Sequence, residues 1–182
     1  DSNNNKLYFS DLRSRGIYRS NFDGSNVEVI ASSSGGWNNS NGIWDISLDL
    51  VHNRLYWSDS YYNRVYSANL DGTDRKVLYS SVKPYGVDVD AVHNKVFWTG
   101  AGKVFSAALD GTNVQQLYSG MWWSTAVTVD QETGKLFWND IWYSGPTNYD
   151  SKIYFSDIYG QNVKTLFNFG PTVCQRTLYL SV

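Results

Sequence analysis

The sequence predicts an all-β fold, a four-bladed β-propeller with four antiparallel strands in each blade. Three observations predict it. A motif recurs at a period of about 40 residues, each copy carries segments that alternate at the strand period, and the last residues supply the one strand otherwise missing.

The first motif is KLYFSD from Lys6, RLYWSD from Arg54, KVFWTG from Lys95 and KLFWND from Lys135, at spacings of 48, 41 and 40 residues. A second follows each time: GIYRSNFDG from Gly16, RVYSANLDG from Arg64, KVFSAALDG from Lys103 and KIYFSDIYG from Lys152. The third reads NVEVI, RKVLY, VQQLY and VKTLF. The fourth closes three of the copies: DISLD (Asp45–Asp49), GVDVD (Gly86–Asp90) and AVTVD (Ala126–Asp130). All alternate apolar and other residues with a period of two, as half-buried strands do. Asp-Gly and Tyr-Gly pairs between the second and third motifs are hairpin signals, as are His52-Asn53, His93-Asn94 and Thr133-Gly134 before the first motif. No segment sustains a helical period.

If strands are lettered A to D from the axis outwards, the fourth motif is A and the first is B. The chain then supplies B, C and D four times but A only three times. The C-terminal TLYLS (Thr177–Ser181) fits the missing A strand. It is expected to pair with KLYFSD and close the ring, because closure removes exposed sheet edges. The whole chain, residues 1–182, is thereby one domain, with B strands starting near Lys6, Arg54, Lys95 and Lys135.

Composition narrows the function. The formal net charge is −2 without a run of like charges, which excludes the basic stripe of a nucleic-acid binder and a polybasic membrane contact. No stretch reaches the roughly eighteen apolar residues that a membrane helix needs. No signal-peptide pattern begins at Asp1, as expected of a mature chain or one made without a leader. Aromatics are abundant, with 8 Trp, 14 Tyr and 8 Phe. Cys174 is the single cysteine, so no internal disulfide forms; it is either a small buried hydrophobe or a thiol that links two chains.

The second copy, NRLYWSDSYYNRVYSANLDGTDRKVLYS with PYGVDVD after it, resembles the low-density lipoprotein receptor class B repeat, the YWTD repeat. The resemblance extends over nearly the whole chain. Known members usually have six blades followed by an epidermal-growth-factor-like module; here there are four copies and no cysteine-rich module. The resemblance implies an extracellular, non-catalytic domain that binds proteins or matrix components. It also implies that the Asp of the motif locks neighbouring blades, a role that falls to Asp11, Asp59 and Asp140, with Thr99-Gly100 departing in the third copy.

Strand direction alternates in a meander, so the A–B and C–D turns emerge at one end of a blade and the B–C and D–A connections at the other. The first set is short, polar and nearly identical between copies. The second set varies in length and carries Trp37, Tyr61, Tyr62, Tyr85, Trp122, Trp123, Trp142, Tyr143 and Tyr149. Loops that differ on a constant scaffold are where function concentrates, and amphipathic aromatics are the residues of recognition surfaces. The competing reading is that these rings plug gaps between splayed blades. The two-residue Ala101-Gly102 connection leaves the neighbouring MWWS segment less covered, and the long IWYSGPTNYDS connection next to it is expected to form the opposite wall. Trp57, Trp98 and Trp138 lie inside strand B and are expected in the core.

Catalytic chemistry finds no support: no nucleophile elbow, P-loop or zinc spacing occurs. His52 and His93 occupy the same turn in successive copies, so the repeat explains both. Asp49, Asp90 and Asp130 recur at the end of strand A and are expected to bond neighbouring backbone. No cofactor is expected; a cation in a central tunnel, as four-bladed hemopexin-like rings hold, is the open alternative. Asn38-Asn39-Ser40 is an N-glycosylation sequon. The functional expectation is a secreted, non-catalytic, lectin-like domain that binds glycans through its aromatic loops. The alternative is an extracellular protein-binding module, and an enzyme ranks last.

Overall fold

The structure, a computed structural model, describes residues 1–11, 13–34, 42–145 and 148–173, with side chains except at 143–149 and 171–173. Among these residues every regular element is a strand, and each sheet is antiparallel.

The chain divides into two compact units, Asp1–Pro84 and Tyr85–Val182. The first unit holds a three-stranded sheet of β1 (Lys6–Asp11), β2 (Gly16–Asn21) and β3 (Glu28–Ser32). It also holds a four-stranded sheet of β4 (Ile43–Asp49), β5 (Arg54–Asp59), β6 (Arg64–Asn69) and β7 (Lys76–Ser80). The second unit is built from β8 (Pro84–Asp90), β9 (Lys95–Gly100), β10 (Lys103–Ala108) and β11 (Gln115–Ser119). Its other sheet is β12 (Val127–Asp130), β13 (Lys135–Gly145), β14 (Asn148–Asp157) and β15 (Lys164–Val173).

The B strands begin at the four expected residues, because Lys or Arg closes the preceding turn and the apolar alternation starts after it. In three sheets the expected A strand precedes B. The first sheet shows three strands, and its expected partner, Thr177–Ser181, lies outside the described residues, as do Trp37, Asn38 and Cys174. The expected loops of the last copy are corrected. Residues read as the IWYSGPTNYDS connection extend β13 and β14 into a long hairpin, in which Trp142 pairs with Asp150 and Tyr143 with Tyr149. The segment after Phe167, read as a D–A loop, continues β15 to Val173. Ile, Trp and Tyr favour pleated backbone, so the strands run on as far as Gly145 and resume at Asn148. Tyr85, read as a loop residue, belongs to β8.

One cross-strand pair organises every sheet. Phe9 lies opposite Tyr18, Trp57 opposite Tyr66, Trp98 opposite Phe105 and Trp138 opposite Tyr154. The rings stack at 5.5, 5.1, 5.5 and 5.9 Å respectively. Stacked aromatic pairs on one sheet face add to simple burial. Trp57, Trp98 and Trp138 are buried, as expected. In the first unit Trp57 and Tyr66 pack with Ile17, Ile43, Leu55 and Ala68, and Arg75 caps the Tyr66 ring at 4.2 Å. In the second, Trp138 packs with Phe97, Val104, Met121, Val127 and Leu136. Burial, reinforced by neighbouring Tyr118 and Asp140, pushes the Tyr154 hydroxyl up to about 12.

The turns repeat as closely as the strands. Asp23, Asp71 and Asp110 each accept bonds from the backbone N–H and the hydroxyl of the Ser or Thr two residues on. Gly24, Gly72 and Gly111 follow at φ of 81, 84 and 88°, a conformation in which glycine alone is unstrained. Asp49, Asp90 and Asp130 bond the backbone of their own turns, as expected. Buried Asp49 and Asp90 also hold His52 and His93, at 2.7 Å from Nδ1 in both cases.

Candidate functional site

The aromatic residues expected to form a recognition surface separate into two groups, one in each unit. In the first unit, Asp59 accepts the backbone N–H groups of Tyr61 and Tyr62 at 2.9 and 3.1 Å. That fixes the turn after β5 and projects both rings outward, 39 % and 38 % exposed. The rings meet edge to face at 4.9 Å, and the Arg64 guanidinium lies 5.8 Å from the Tyr62 ring centre. The site is amphipathic, cationic and open.

In the second unit, the segment between β11 and β12 carries Met121, Trp122 and Trp123. Met121 is buried, and its N–H donates to the Gly102 carbonyl at 3.2 Å. A Cβ on Gly102 would sit 2.2 Å from the Met121 carbonyl oxygen, so the short Ala101-Gly102 turn is what lets this segment lie close. Asp140 accepts the N–H groups of Trp122 and Trp123 at 2.9 and 3.3 Å. Asn139 Oδ1 accepts those of Thr125 and Ala126 at 2.9 and 3.0 Å. The Thr99 hydroxyl donates to the Ser124 carbonyl at 3.2 Å, and the Trp123 carbonyl accepts from Ile141 N–H at 2.8 Å. Almost every residue of the segment is thus pinned to β9 or β13. Trp122 stands out from this frame, 62 % exposed.

Trp123 is half-buried and edge to face with Tyr85 at 6.0 Å; burial raises the Tyr85 hydroxyl pKa, with Trp123 opposing it. Trp142 is also half-buried, with Lys152 Nζ 4.8 Å from its ring centre. The backbone of Tyr143 lies in β13; its side chain is outside the description.

The lock implied for the motif aspartates is realised unevenly. Asp140 reaches the segment before its own sheet. Asp11 and Asp59 instead bond the backbone of the turns that follow them. In the third copy, where Gly100 replaces the Asp, Thr99 makes the tie through its hydroxyl. The sequence marks Thr99-Gly100 only as a departure that alters the lock, and does not single out Asn139. The signal was the residue before the motif Asp, which is a hydrogen-bonding type in every copy: Ser10, Ser58, Thr99 and Asn139.

Asp140 is buried, and desolvation raises its carboxyl above the ordinary value despite the two N–H donors and Lys152. A carboxyl raised in the folded state favours its protonated form there, so ionisation at neutral pH costs stability that returns as pH falls through the folded value. Asp140→Asn keeps an acceptor for both N–H groups without the buried charge, and should melt at or above the parent at neutral pH. Asp140→Ala orphans two donors and should cost about 1–3 kcal/mol. Thermal melts of the two variants check this; an Asn variant as weak as the Ala variant would show that charge, not acceptance, matters.

Among the described residues no group of three His, Cys, Asp or Glu side chains could hold a metal ion, and no helix is long and apolar enough to cross a membrane.

No family model and no curated protein matches the chain. Solved structures do. A chain of a nidogen/laminin complex aligns at a TM-score of 0.67 and 22% identity, over 92% of this chain and 76% of that one. A TolB from Agrobacterium tumefaciens aligns at 0.72 and 14% identity, over 94% of this chain and 64% of its own. The fold is a β-propeller. A gluconolactonase from Xanthomonas campestris also aligns, at 0.55 and 20% identity, over 68% of this chain and 40% of its own. Binding proteins and enzymes thus share this scaffold, and at these identities the likeness extends to the fold alone.

Proposed function

We propose that this propeller is a non-catalytic, extracellular protein-recognition module of the YWTD type, with Trp122 as its principal anchor. The observation that carries the reading is a mostly exposed Trp on a segment whose backbone is pinned by Asp140, Asn139 and Thr99. A large ring on a rigid frame loses little entropy on binding and is the type of residue that dominates interface energetics. Trp123, Tyr85 and Trp142 support it as a half-buried wall, and Tyr61, Tyr62 and Arg64 form a second patch. The likeness to a chain of a nidogen/laminin complex favours protein recognition over the glycan reading and makes laminin fragments the first partners to test. Immobilised protein should retain a fragment from such a panel, and Trp122→Ala should weaken retention by about 1–3 kcal/mol while its melting temperature stays unchanged. Normal binding with early unfolding would make Trp122 a packing residue. A glycan array probed with the same pair distinguishes the carbohydrate alternative.

The strand count further supports a closed four-bladed ring in which Thr177–Ser181 supplies the inner strand of the first blade. Removing residues 177–182 should then lower stability by about 2–5 kcal/mol through lost ladder bonds and buried leucines. A truncated chain that melts like the parent rules closure out.

A further inference from the structure

The first unit contains a cleft of about 520 Å³ that the aromatic loops do not reach. It opens at the end of the blades where the A–B and C–D turns emerge. Lys6, Tyr8 and Arg19 of the first sheet face Asn53, Leu70 and Asp71 from the turns of the second across it. Its volume falls within the range of about 300–1,000 Å³ common to small-molecule sites.

The walls are held in place before any ligand arrives. The Leu70 carbonyl accepts from the Tyr8 hydroxyl at 3.2 Å and from Arg19 Nη1 at 3.3 Å, so one atom ties the two sheets together. Glu28 grips the other side of the guanidinium at 2.5 and 3.0 Å. Asn21 Oδ1 receives Lys6 Nζ at 2.7 Å. Asp71 is fixed through Oδ1 by Thr73.

What remains pointing to the ligand is mixed in kind. Lys6 and Arg19 keep N–H donors beyond those bonds, the Asp71 carboxylate keeps its second oxygen, and the Asn53 amide both donates and accepts. The side-chain charges of the lining balance, Lys6 and Arg19 against Asp1 and Asp71. An anion would meet the carboxylates and a cation the ammonium and guanidinium, so neither sign is drawn in. A neutral molecule with several groups that donate and accept together satisfies the whole set. Tyr8 and Leu70 offer it an apolar wall. We infer that this cleft binds an uncharged polyhydroxylated ligand, a mono- or disaccharide, independently of the protein-recognition face.

A chemical-shift titration of the whole chain with glucose, galactose, mannose, N-acetylglucosamine and lactose tests this, with glucuronate, citrate and glucosamine as charged probes. At least one neutral sugar should give saturable shifts at residues 53 and 69–71, with a dissociation constant on the order of millimolar. Asn53→Gly strips the amide yet suits the left-handed backbone there, φ 54°. Lys6→Met keeps the aliphatic stem and removes the ammonium. Each should weaken the sugar about tenfold with the rest of the spectrum intact, and Trp122→Ala should leave the titration unchanged. The inference is overturned if no neutral sugar saturates, if a charged probe binds more tightly, if both cleft variants bind like the parent, or if Trp122→Ala abolishes the shifts.

Discussion

Trp138→Ala should lower the unfolding free energy by about 3–5 kcal/mol, the range for emptying a large aromatic from a packed core. The side chain is wholly buried, stacks on Tyr154 at 5.9 Å and meets the Tyr118 ring at a tilt, 5.3 Å between centres. It also touches a cluster contributed by both sheets of its unit, so the cavity opens where those sheets meet rather than inside one of them. Relaxation is limited on each side by ladder hydrogen bonds, which places the expected cost high in its range. Trp138→Phe is the informative companion. The indole Nε1 is buried with no hydrogen-bond partner among the described residues, so Phe removes an unsatisfied donor while keeping a ring. That gain offsets part of the lost volume, and the Phe variant should cost about 1–2 kcal/mol. Chemical denaturation of both variants checks the pair. A loss below about 1 kcal/mol for Ala would show that this cluster is not where the second unit's stability resides.

The same Trp shows why the scaffold was legible in the sequence. Trp57, Trp98 and Trp138 occupy one register position, and each strand around them carries a period-two pattern that only a half-buried sheet explains. Four copies of one pattern reinforce one another, so the B strands fall where expected. The connections have no such redundancy. Trp142 and Tyr143 looked like loop residues because Gly145 and Pro146 follow them, yet their own β propensity carries the hairpin past the usual strand length. Tyr85 looked like a loop residue because Pro84 precedes it, though proline is tolerated at the first position of a strand. The site was legible only in part. Which loops vary can be counted from the copies. Which of two adjacent tryptophans projects cannot, because the choice between Trp122 and Trp123 is made by Asp140, Asn139 and Thr99, residues far away in sequence. The cleft beside Leu70 was not legible at all. It is lined by the turns that looked least informative, and it depends on how two sheets approach one another.

That approach has a test of its own. Gly72→Ala should cost about 3 kcal/mol or more, whereas Gly24→Ala should cost about 1 kcal/mol. The two glycines occupy the same position of the same turn, with φ of 84° and 81°, so the penalty for placing a side chain in left-handed backbone is shared. They differ in their neighbours. A Cβ on Gly72 would lie 2.3 Å from the Ile30 carbonyl oxygen of β3, a backbone atom that cannot rotate away; a Cβ on Gly24 meets nothing within 4 Å. Gly160 repeats the arrangement in the second unit, where the added atom would meet Leu117 Cβ of β11 at 2.8 Å. The turn between the third and fourth strands therefore presses on the outer strand of the preceding sheet, and glycine sets how closely. Leu70, two residues before Gly72, is the carbonyl that Tyr8 and Arg19 grip, so pushing this turn outward also separates the walls of the cleft. Denaturation midpoints of the two variants, compared at equal denaturant dependence, measure the difference directly. Equal losses at both positions would leave only the backbone penalty and would mean that the turn of the second sheet does not bear on β3.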